Sequence, residues 1–517
     1  MKKIILFIVL LLMLSGCRTS KSLSKIDTID DNYRVFYQIF VGSFSDSNND
    51  GIGDLRGIIN RIDYLNDGNI DSEDSLHVQG IWLSPIFSSP SYHKYDVNDY
   101  YTIDEQFGTM DDLKELIDKA HQRNVKVILD LVINHTSTNH EWFKAFVKAH
   151  QDNAVNSYYY DFYSYVKDGE QKPNTAYHQI PGTNDYYECN FSEEMPELNY
   201  DNWDVRNAVV DIAKYYLDMG IDGFRFDAGK YIYYGDNTKS VAFWDWYMKE
   251  LKKMKPDVYT VCEVWSSDNE TIEYIKALNC FNFTSAMTEG IIASTAKGNS
   301  INFYTNYIES YLNKIHASRS DAMYIPFIAN HDTDRAAGYL NVTDKYMYMG
   351  ANLYILCSGS PFIYYGEEIG MKGTRGAANT DANRRLAMLW GDGDSVSDPE
   401  GSSFSASKQV NGTVSEQLKN SDSLLHYYNR LIKFRNSYPE IARGEYTKLS
   451  TSSSYLGGFS IDYEGSTTYL LHNVSLEEIS VEIDLQDITV TDSIGQGTAS
   501  YKDGILTVSG QTSVVLK

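Results

Sequence analysis

The chain has 517 residues, of which 42% are hydrophobic and 14% aromatic, so it can bury a large core and divide into more than one domain. Its formal net charge is −25, which would repel a phosphate backbone and argues against nucleic acid as a partner. The 42 tyrosines suit sugar recognition, because a ring face offers apolar contact while the hydroxyl stays hydrogen-bonded.

The N-terminus has the pattern of a targeting segment. Lys2 and Lys3 precede an apolar run over residues 4–14, which is too short for a comfortable membrane span. The following LSGC resembles a bacterial lipobox, so residues 1–17 are predicted to be a lipoprotein signal with Cys17 as the acylated residue; an ordinary cleaved signal peptide is the alternative. Residues 18–32 are polar and predict a tether. We therefore expect an extracytoplasmic protein that lipidated Cys17 anchors to the bacterial cell membrane.

Short apolar runs alternate with polar and amphipathic sequence that could form helices. Eight such runs predict an α/β fold, a parallel sheet covered by helices and closed as a (β/α)8 TIM barrel. A mixed open sheet is the alternative. The runs are VFYQIFV (35–41), VQGIWLSPI (78–86), VKVILDLVI (125–133), GIDGFRFDA (220–228), VYTVCEV (258–264), CFNFTSA (280–286), MYIPFIAN (323–330) and PFIYYGEE (361–368).

Two stretches interrupt this rhythm and set the predicted domain bounds. Residues 136–199 are rich in Tyr and Asn without clear helical periodicity, and predict a small inserted domain after the third strand. Residues 439–517 contain short alternating runs, which predict a C-terminal antiparallel β-sandwich. The catalytic barrel is then assigned residues 33–135 and 200–438.

Polar side chains follow several of the predicted strands, at the edge where a (β/α)8 barrel assembles its site. Glycoside hydrolysis needs such a set, since one carboxylate attacks or activates water while another protonates the leaving oxygen. A single carboxylate at a strand end is more often a helix N-cap, but the joint occurrence favours a site. The residues are Asp130, Asn134, His135, Arg225, Asp227, Glu263, His331 and Asp332.

Five motifs then occur in a known order. They are DLVINH (130–135), MPELN (195–199), GFRFDAGKY (223–231), EVW (263–265) and NHD (330–332). With them, the chain resembles the α-amylase family, glycoside hydrolase family 13, over residues 33–517. The resemblance implies Asp227 as nucleophile, Glu263 as general acid/base and Asp332 as the carboxylate that binds the distorted sugar ring.

The resemblance also implies the residues that hold the sugar at the cleavage point. Arg225 would keep Asp227 ionised and oriented, and His135 and His331 would bind sugar hydroxyls rather than a metal. The segment SYHKYDVNDYY (91–101) resembles the floor of that subsite, with Tyr95 as stacking platform and His93 at the hydroxymethyl group. Lys230 is a further substrate-binding candidate. The family commonly has His where this chain has Tyr231, which weakens an interdomain calcium site that would also use Asn134.

A second calcium site is predicted from a local spacing. The loop from Asp46 to Asp54 places side-chain oxygens at positions 1, 3, 5 and 9 and a carbonyl at position 7, as in EF-hand-type loops. It lacks a Glu at position 12, where Gly57 stands, and a solvated turn is the alternative. The predicted ligands of a structural Ca²⁺ are Asp46, Asn48, Asp50, Ile52 and Asp54.

Two positions bear on specificity. Ala228 follows the nucleophile, where alanine is usual in α-1,4-acting members of the resembled family and valine accompanies α-1,6 cleavage. The residues before Tyr95 resemble those of family members with an open cleft. The pair Tyr95-Asp96 also occurs in exo-acting members of the family. We expect internal α-1,4 cleavage of starch, amylose and maltooligosaccharides. The alternatives are an α-glucosidase or oligo-1,6-glucosidase, a 4-α-glucanotransferase, and a lipid-anchored glycan-binding protein on a dead scaffold.

Overall fold

The computed structural model describes residues 31–173, 176–340, 346–404, 411–485 and 488–517. The predicted lipobox, Cys17 and nearly all of the tether lie outside these described residues. Within the described ranges, no helix combines the length and the apolar character needed to cross a bilayer.

A closed parallel barrel forms the centre of the molecule. Six of its strands form one sheet, in the order Tyr259–Cys262, Gly223–Phe226, Lys126–Leu131, Gly80–Leu83, Phe36–Ile39 and Phe362–Tyr364. The circle closes through parallel bridges from Cys262 to Cys280, from Phe281 to Ile325 and from Phe327 to Phe362. The predicted (β/α)8 barrel is therefore confirmed. We number its strands one to eight along the chain, counting the bridged segments around Phe281 and Ile325 as the sixth and seventh.

Apolar side chains fill the barrel interior. The core cluster includes Phe36, Trp82, Ile128, Tyr259 and Phe362, and the rings of Phe36 and Phe362 stack with centroids 4.8 Å apart. Tight packing explains one glycine of the second strand, because a Cβ at Gly80 would lie 2.3 Å from the Phe36 ring. These contacts favour closure of the strands around a filled centre rather than an open sheet.

Helices cover the barrel and connect its strands. The fourth strand, for example, is preceded by a helix that Asn202 caps and that ends at Gly220 in a left-handed conformation, φ 113°. The described helices are Leu55–Asn60, Ile62–Leu65, Met110–His121, Glu141–Gln151, Trp203–Met219, Asn237–Met254, Asp268–Ile275, Ile291–Ala296, Ile301–Ser318, Ala336–Leu340, Tyr346–Ile355, Val414–Gln417, Leu424–Ser437 and Pro439–Arg443.

The segment between the third and fourth strands contains a helix that the sequence pattern did not reveal. Glu141–Gln151 begins after His140, whose ring accepts from the Trp142 amide, and it buries Phe143, Phe146 and Ala149 on one face. A short antiparallel sheet follows, in the order Tyr165–Val166, Tyr186–Glu188, Tyr177–Gln179. The segment returns to the barrel at an antiparallel bridge between His135 and Glu197.

The C-terminal region consists of two antiparallel sheets, as predicted. Leu456, Leu471, Val481, Leu506 and Val514, drawn from both sheets, share one buried cluster, so the two sheets pack as a sandwich. One sheet has the order Glu445–Ser450, Leu456–Tyr463, Ser466–Asn473, Thr512–Leu516, Val490–Gly495, and the other has the order Ile479–Glu482, Ile505–Val508, Ala499–Lys502.

The cysteines of the described residues are free and buried. They are Cys189, Cys262, Cys280 and Cys357. Burial raises the pKa of the Cys189 and Cys357 thiols to about 11. These side chains are therefore unreactive packing groups in the folded protein.

Candidate active site

Arg225 joins the predicted carboxylates into one cluster. It lies on the fourth strand beside its register partner Asp130 on the third, and its side chain is fully buried. Its Nη1 donates to Asp130 Oδ1 at 2.8 Å and to Asp227 Oδ1 at 2.6 Å. Its Nη2 donates to Glu263 Oε2. The guanidinium thus holds the predicted nucleophile and the predicted acid on neighbouring nitrogens.

The backbone fixes the same two residues. The Glu263 amide donates to Phe226 O and the Gly229 amide donates to Glu263 O, both at 2.9 Å. A Cβ at Gly229 would lie 2.1 Å from the Cys262 sulfur, so only glycine fits between the fourth and fifth strands there. Asp227 therefore lies on a turn whose flanking residues, Phe226 and Gly229, both hydrogen-bond to the backbone of Glu263.

Asp332 has a separate set of partners. Arg385 Nη2 donates to its Oδ1 at 2.8 Å, and His331 Nε2 lies 3.1 Å from its Oδ2. Arg385 also donates to the Tyr92 hydroxyl and to the His331 carbonyl, each at 3.1 Å. The sequence pattern missed Arg385, and the only signal for it is the adjacent pair Arg384-Arg385 outside every recognised motif.

Tyr95 connects His331 to Asp130. Its ring stacks on His331 with centroids 5.5 Å apart and planes 5° apart, and its hydroxyl donates to Asp130 Oδ2 at 3.0 Å. His331 Nδ1 lies 2.7 Å from Gln38 Nε2, and its Nε2 lies 2.5 Å from the Tyr95 hydroxyl. Since an amide nitrogen only donates, the imidazole proton belongs on Nε2. Gln38 is a second residue that the sequence did not single out.

Burial and neighbouring charges give the carboxyl groups different acidities. Burial raises the pKa of Glu263 to about 8, with Asp227 adding to the effect and Arg225 opposing it. Burial alone would raise the pKa of Asp332, but His331 and Arg385 lower it to about 2. A carboxyl group that keeps its proton near neutral pH can act as a general acid.

The histidines of the site are neutral. Burial lowers the pKa of His331 to about 3 and that of His93 to about 4. His135 is buried, and its Nε2 has no hydrogen-bond partner in the protein. A neutral imidazole with an unpaired nitrogen at the cavity wall can form a hydrogen bond with a sugar hydroxyl.

A cavity of about 770 Å³ opens over these residues. The structure therefore brings the predicted catalytic and sugar-binding residues around one opening, with Arg225 and His331 buried beneath it. Residues between Arg375 and Arg385 also line the cavity. The lining comprises Tyr92, His93, Tyr95, His135, Phe191, Ser192, Met195, Asp227, Ala228, Lys230, Tyr231, Glu263, Trp265, Asp332, Arg375, Asn379, Thr380, Asp381, Arg384 and Arg385.

The carboxylates of the predicted calcium loop accept hydrogen bonds from the backbone amides of the loop itself. Asp46 Oδ1 accepts the amide hydrogens of Asn48 and Asn49, and its Oδ2 accepts that of Gly51. Asp54 accepts from Ser47 and caps the next helix through the Gly57 amide. Across the ranges that the structure describes, no group of three or more His, Cys, Asp and Glu side chains is placed to hold a metal ion. Calcium therefore stays a prediction from the spacing.

Two family models and several known proteins match the chain. The alpha amylase catalytic domain model matches residues 38–444, and the prokaryotic membrane lipoprotein lipid attachment site model matches residues 1–17. Alpha-amylase 3 of Dictyoglomus thermophilum is 34% identical over 444 residues, covering 85% of this chain and 84% of the relative. The 4-alpha-glucanotransferase of Thermotoga maritima is 29% identical, covering 87% and 97%. The structure of Eubacterium rectale Amy13B superposes with a TM-score of 0.87 at 35% identity, covering 95% and 96%.

Proposed function

The chain is an enzyme of the α-amylase family, glycoside hydrolase family 13, and from this premise we propose that it cleaves internal α-1,4-glucosidic bonds with retention of configuration. The substrates would be starch, amylose and maltooligosaccharides. One observation carries the mechanism, namely that Asp227 and Glu263 bind neighbouring nitrogens of the buried Arg225 guanidinium. That arrangement favours the separation of about 5 to 5.5 Å found in retaining enzymes over the wider gap that admits water.

The proposed reaction has two steps. Asp227 attacks the anomeric carbon while protonated Glu263 gives its proton to the glycosidic oxygen, so the bond to the leaving sugar breaks as the glycosyl ester forms. Glu263, now ionised, then takes a proton from water, and the resulting hydroxide displaces Asp227. Asp332, which Arg385 holds ionised, would bind the distorted ring, and Tyr95 would support it from below.

Cleavage inside a chain is supported by the shape of the site. Trp265, Asp332 and Arg384 line both the main cavity and an adjoining one of about 450 Å³. A substrate could therefore continue past the carboxylates. Ala228 next to the nucleophile supports α-1,4 specificity by resemblance.

Product analysis tests the proposal. Amylose should lose iodine staining well before glucose accumulates, with maltose and short oligosaccharides as products. Glucose as the first and dominant product, or isomaltose cut faster than maltotriose, would mean an α-glucosidase or oligo-1,6-glucosidase. New longer oligosaccharides from maltoheptaose, in excess over released reducing ends, would mean a glucanotransferase.

Two further parts of the proposal concern location and metal. The lipid attachment site match over residues 1–17 supports an extracytoplasmic enzyme that acylated Cys17 anchors to the bacterial cell membrane. Radiolabelled palmitate incorporated into wild type but not into Cys17→Ala tests this. A structural Ca²⁺ at Asp46, Asn48, Asp50, Ile52 and Asp54 is supported by the ligand spacing and by Gly51, whose φ of 90° suits position 6 of such a loop.

A further inference from the structure

Lys94 lies between two residues of the cavity wall, yet its own side chain is buried in the protein. His93 and Tyr95 line the cavity, whereas Lys94 is only 3% exposed and does not belong to the lining. Its φ is 65°, in the left-handed region that residues other than glycine rarely adopt. A strained conformation of this kind persists only where the surrounding structure enforces it. Contacts elsewhere in the fold therefore hold the turn that carries His93 and Tyr95.

The Lys94 side chain supplies such contacts. Its Nζ lies 3.0 Å from Asp104 Oδ2 and donates to Gln106 Oε1 at 2.8 Å. Both side chains of the ion pair are buried, being 3% and 7% exposed. The Asp104 carboxylate also accepts from the backbone amide of Gln106 and from that of Ser89, which directly follows the strand Phe87–Ser88. One buried ion pair thus connects the turn at Lys94 to both ends of its loop.

Tyr95 connects the same turn to the carboxylate cluster. Its hydroxyl donates to Asp130 Oδ2 at 3.0 Å, and Asp130 shares the Arg225 guanidinium with Asp227. A shift of the turn would move the Tyr95 ring, which is the surface proposed to support the distorted sugar. A misplacement of about 1 Å near a reacting group can lower a rate by about a hundredfold. The position of the turn should therefore affect turnover.

We propose that Lys94 is a positioning residue, whose ion pair with Asp104 holds His93 and Tyr95 in place around the sugar that is cleaved. This inference rests on the proposed function, since it takes His93 and Tyr95 as sugar contacts. Lys94 itself touches no substrate. Its loss should therefore reduce the turnover of correctly folded molecules, in addition to any loss of stability.

Three variants separate positioning from stability. Lys94→Met leaves Asp104 as an unpaired buried charge, which should lower both the melting temperature and kcat for maltoheptaose. The double variant Lys94→Met/Asp104→Asn removes both charges, so it should regain most of the melting temperature but not the turnover. Lys126→Met is the control, because Lys126 Nζ lies 2.9 Å from the buried Asp222 carboxylate. Lys126 is the first residue of the third strand, at the end of the barrel away from the cavity.

The assay is kcat and KM for maltoheptaose, measured below the unfolding transition of each variant. In both Lys94 variants kcat should fall about tenfold or more, while KM changes by less than about threefold. The control should lose melting temperature alone. If Lys94→Met does not fold, the double variant decides the question by itself.

The outcomes are distinguishable. A loss of kcat that persists in the double variant, together with normal kcat in Lys126→Met, would support the proposal. Near-wild-type kcat in the double variant, or an equal loss in the control, would overturn it, because Lys94 would then act on stability alone. Either of these results would leave the proposed function intact. A wild-type enzyme that releases no reducing ends from maltoheptaose would overturn the proposed function and this inference with it.

Discussion

Raising the pH through about 8 should inactivate the enzyme, because Glu263 then loses the proton that the first step requires. Burial raises the pKa of this carboxyl from 4.5 to about 8. Since one pKa unit corresponds to about 1.4 kcal/mol, ionising Glu263 costs on the order of 5 kcal/mol more in the folded protein than in the unfolded chain. The folded-state pKa is the higher one, so this contribution to stability is complete below 4.5 and is lost as the pH rises to about 8.

The assay is kcat/KM for maltoheptaose across the pH range, together with thermal unfolding at pH 5 and pH 8. Glu263→Gln should lose turnover by about a thousandfold and should be less destabilised than wild type on going from pH 5 to pH 8, since its amide does not ionise. Glu273→Gln, at an exposed position, is the control. An alkaline limb below about pH 6, or near-normal turnover of Glu263→Gln, would refute the reasoning.

Four further predictions follow from the site. Proton NMR should detect the α-anomer as the first-formed product, and the β-anomer would contradict a nucleophilic Asp227. Asp227→Ala should lower kcat at least about a thousandfold, while calorimetry still detects maltoheptaose binding; turnover near wild type would exclude the role. If the loop at Asp46 holds Ca²⁺, a chelator should lower the melting temperature by mass action, whereas an unchanged value with no bound metal would contradict the site. Ala228 has a φ of 49°, so Ala228→Val should destabilise the fold by about 1 to 3 kcal/mol and Ala228→Gly should not; denaturant unfolding with equal midpoints would count against strain there.

The barrel was predictable because its strands are buried on both faces and appear as apolar runs. The sixth and seventh runs matched the pattern equally well, yet the structure gives them only isolated bridges at Cys280, Phe281, Ile325 and Phe327. Pairing in a closed barrel depends on neighbours from distant parts of the chain, which a run of apolar residues does not specify. The helix Glu141–Gln151 escaped notice since its buried face combines Phe143, Phe146, Ala149 and His150 within a segment dominated by aromatic and polar residues.

The sequence motifs placed the residues at the strand ends, and His93 and Tyr95 in the loop after the second strand, around the cavity, whereas no motif contained Arg385. The sequence identified Arg225 through its motif. Its simultaneous contact with Asp130, Asp227 and Glu263 is visible only in the folded structure. Arg385 directly follows the short 3-10 helix Asp381–Arg384, whose sequence has no periodic apolar pattern. The spacing of the predicted calcium ligands does not by itself identify a metal site. Side-chain oxygens at these intervals can also accept the amide hydrogens of their own loop.

The four buried thiols can serve as intrinsic probes of local unfolding. Cys189 lies between the third and fourth strands, Cys262 and Cys280 at the junction of the fifth and sixth, and Cys357 ahead of the eighth. Because none is disulfide-bonded among the described residues, an alkylating reagent can reach each sulfur only when its surroundings part. The order in which the four are labelled would therefore record, without any added probe, whether the inserted segment or one of these parts of the barrel opens first under heat or denaturant.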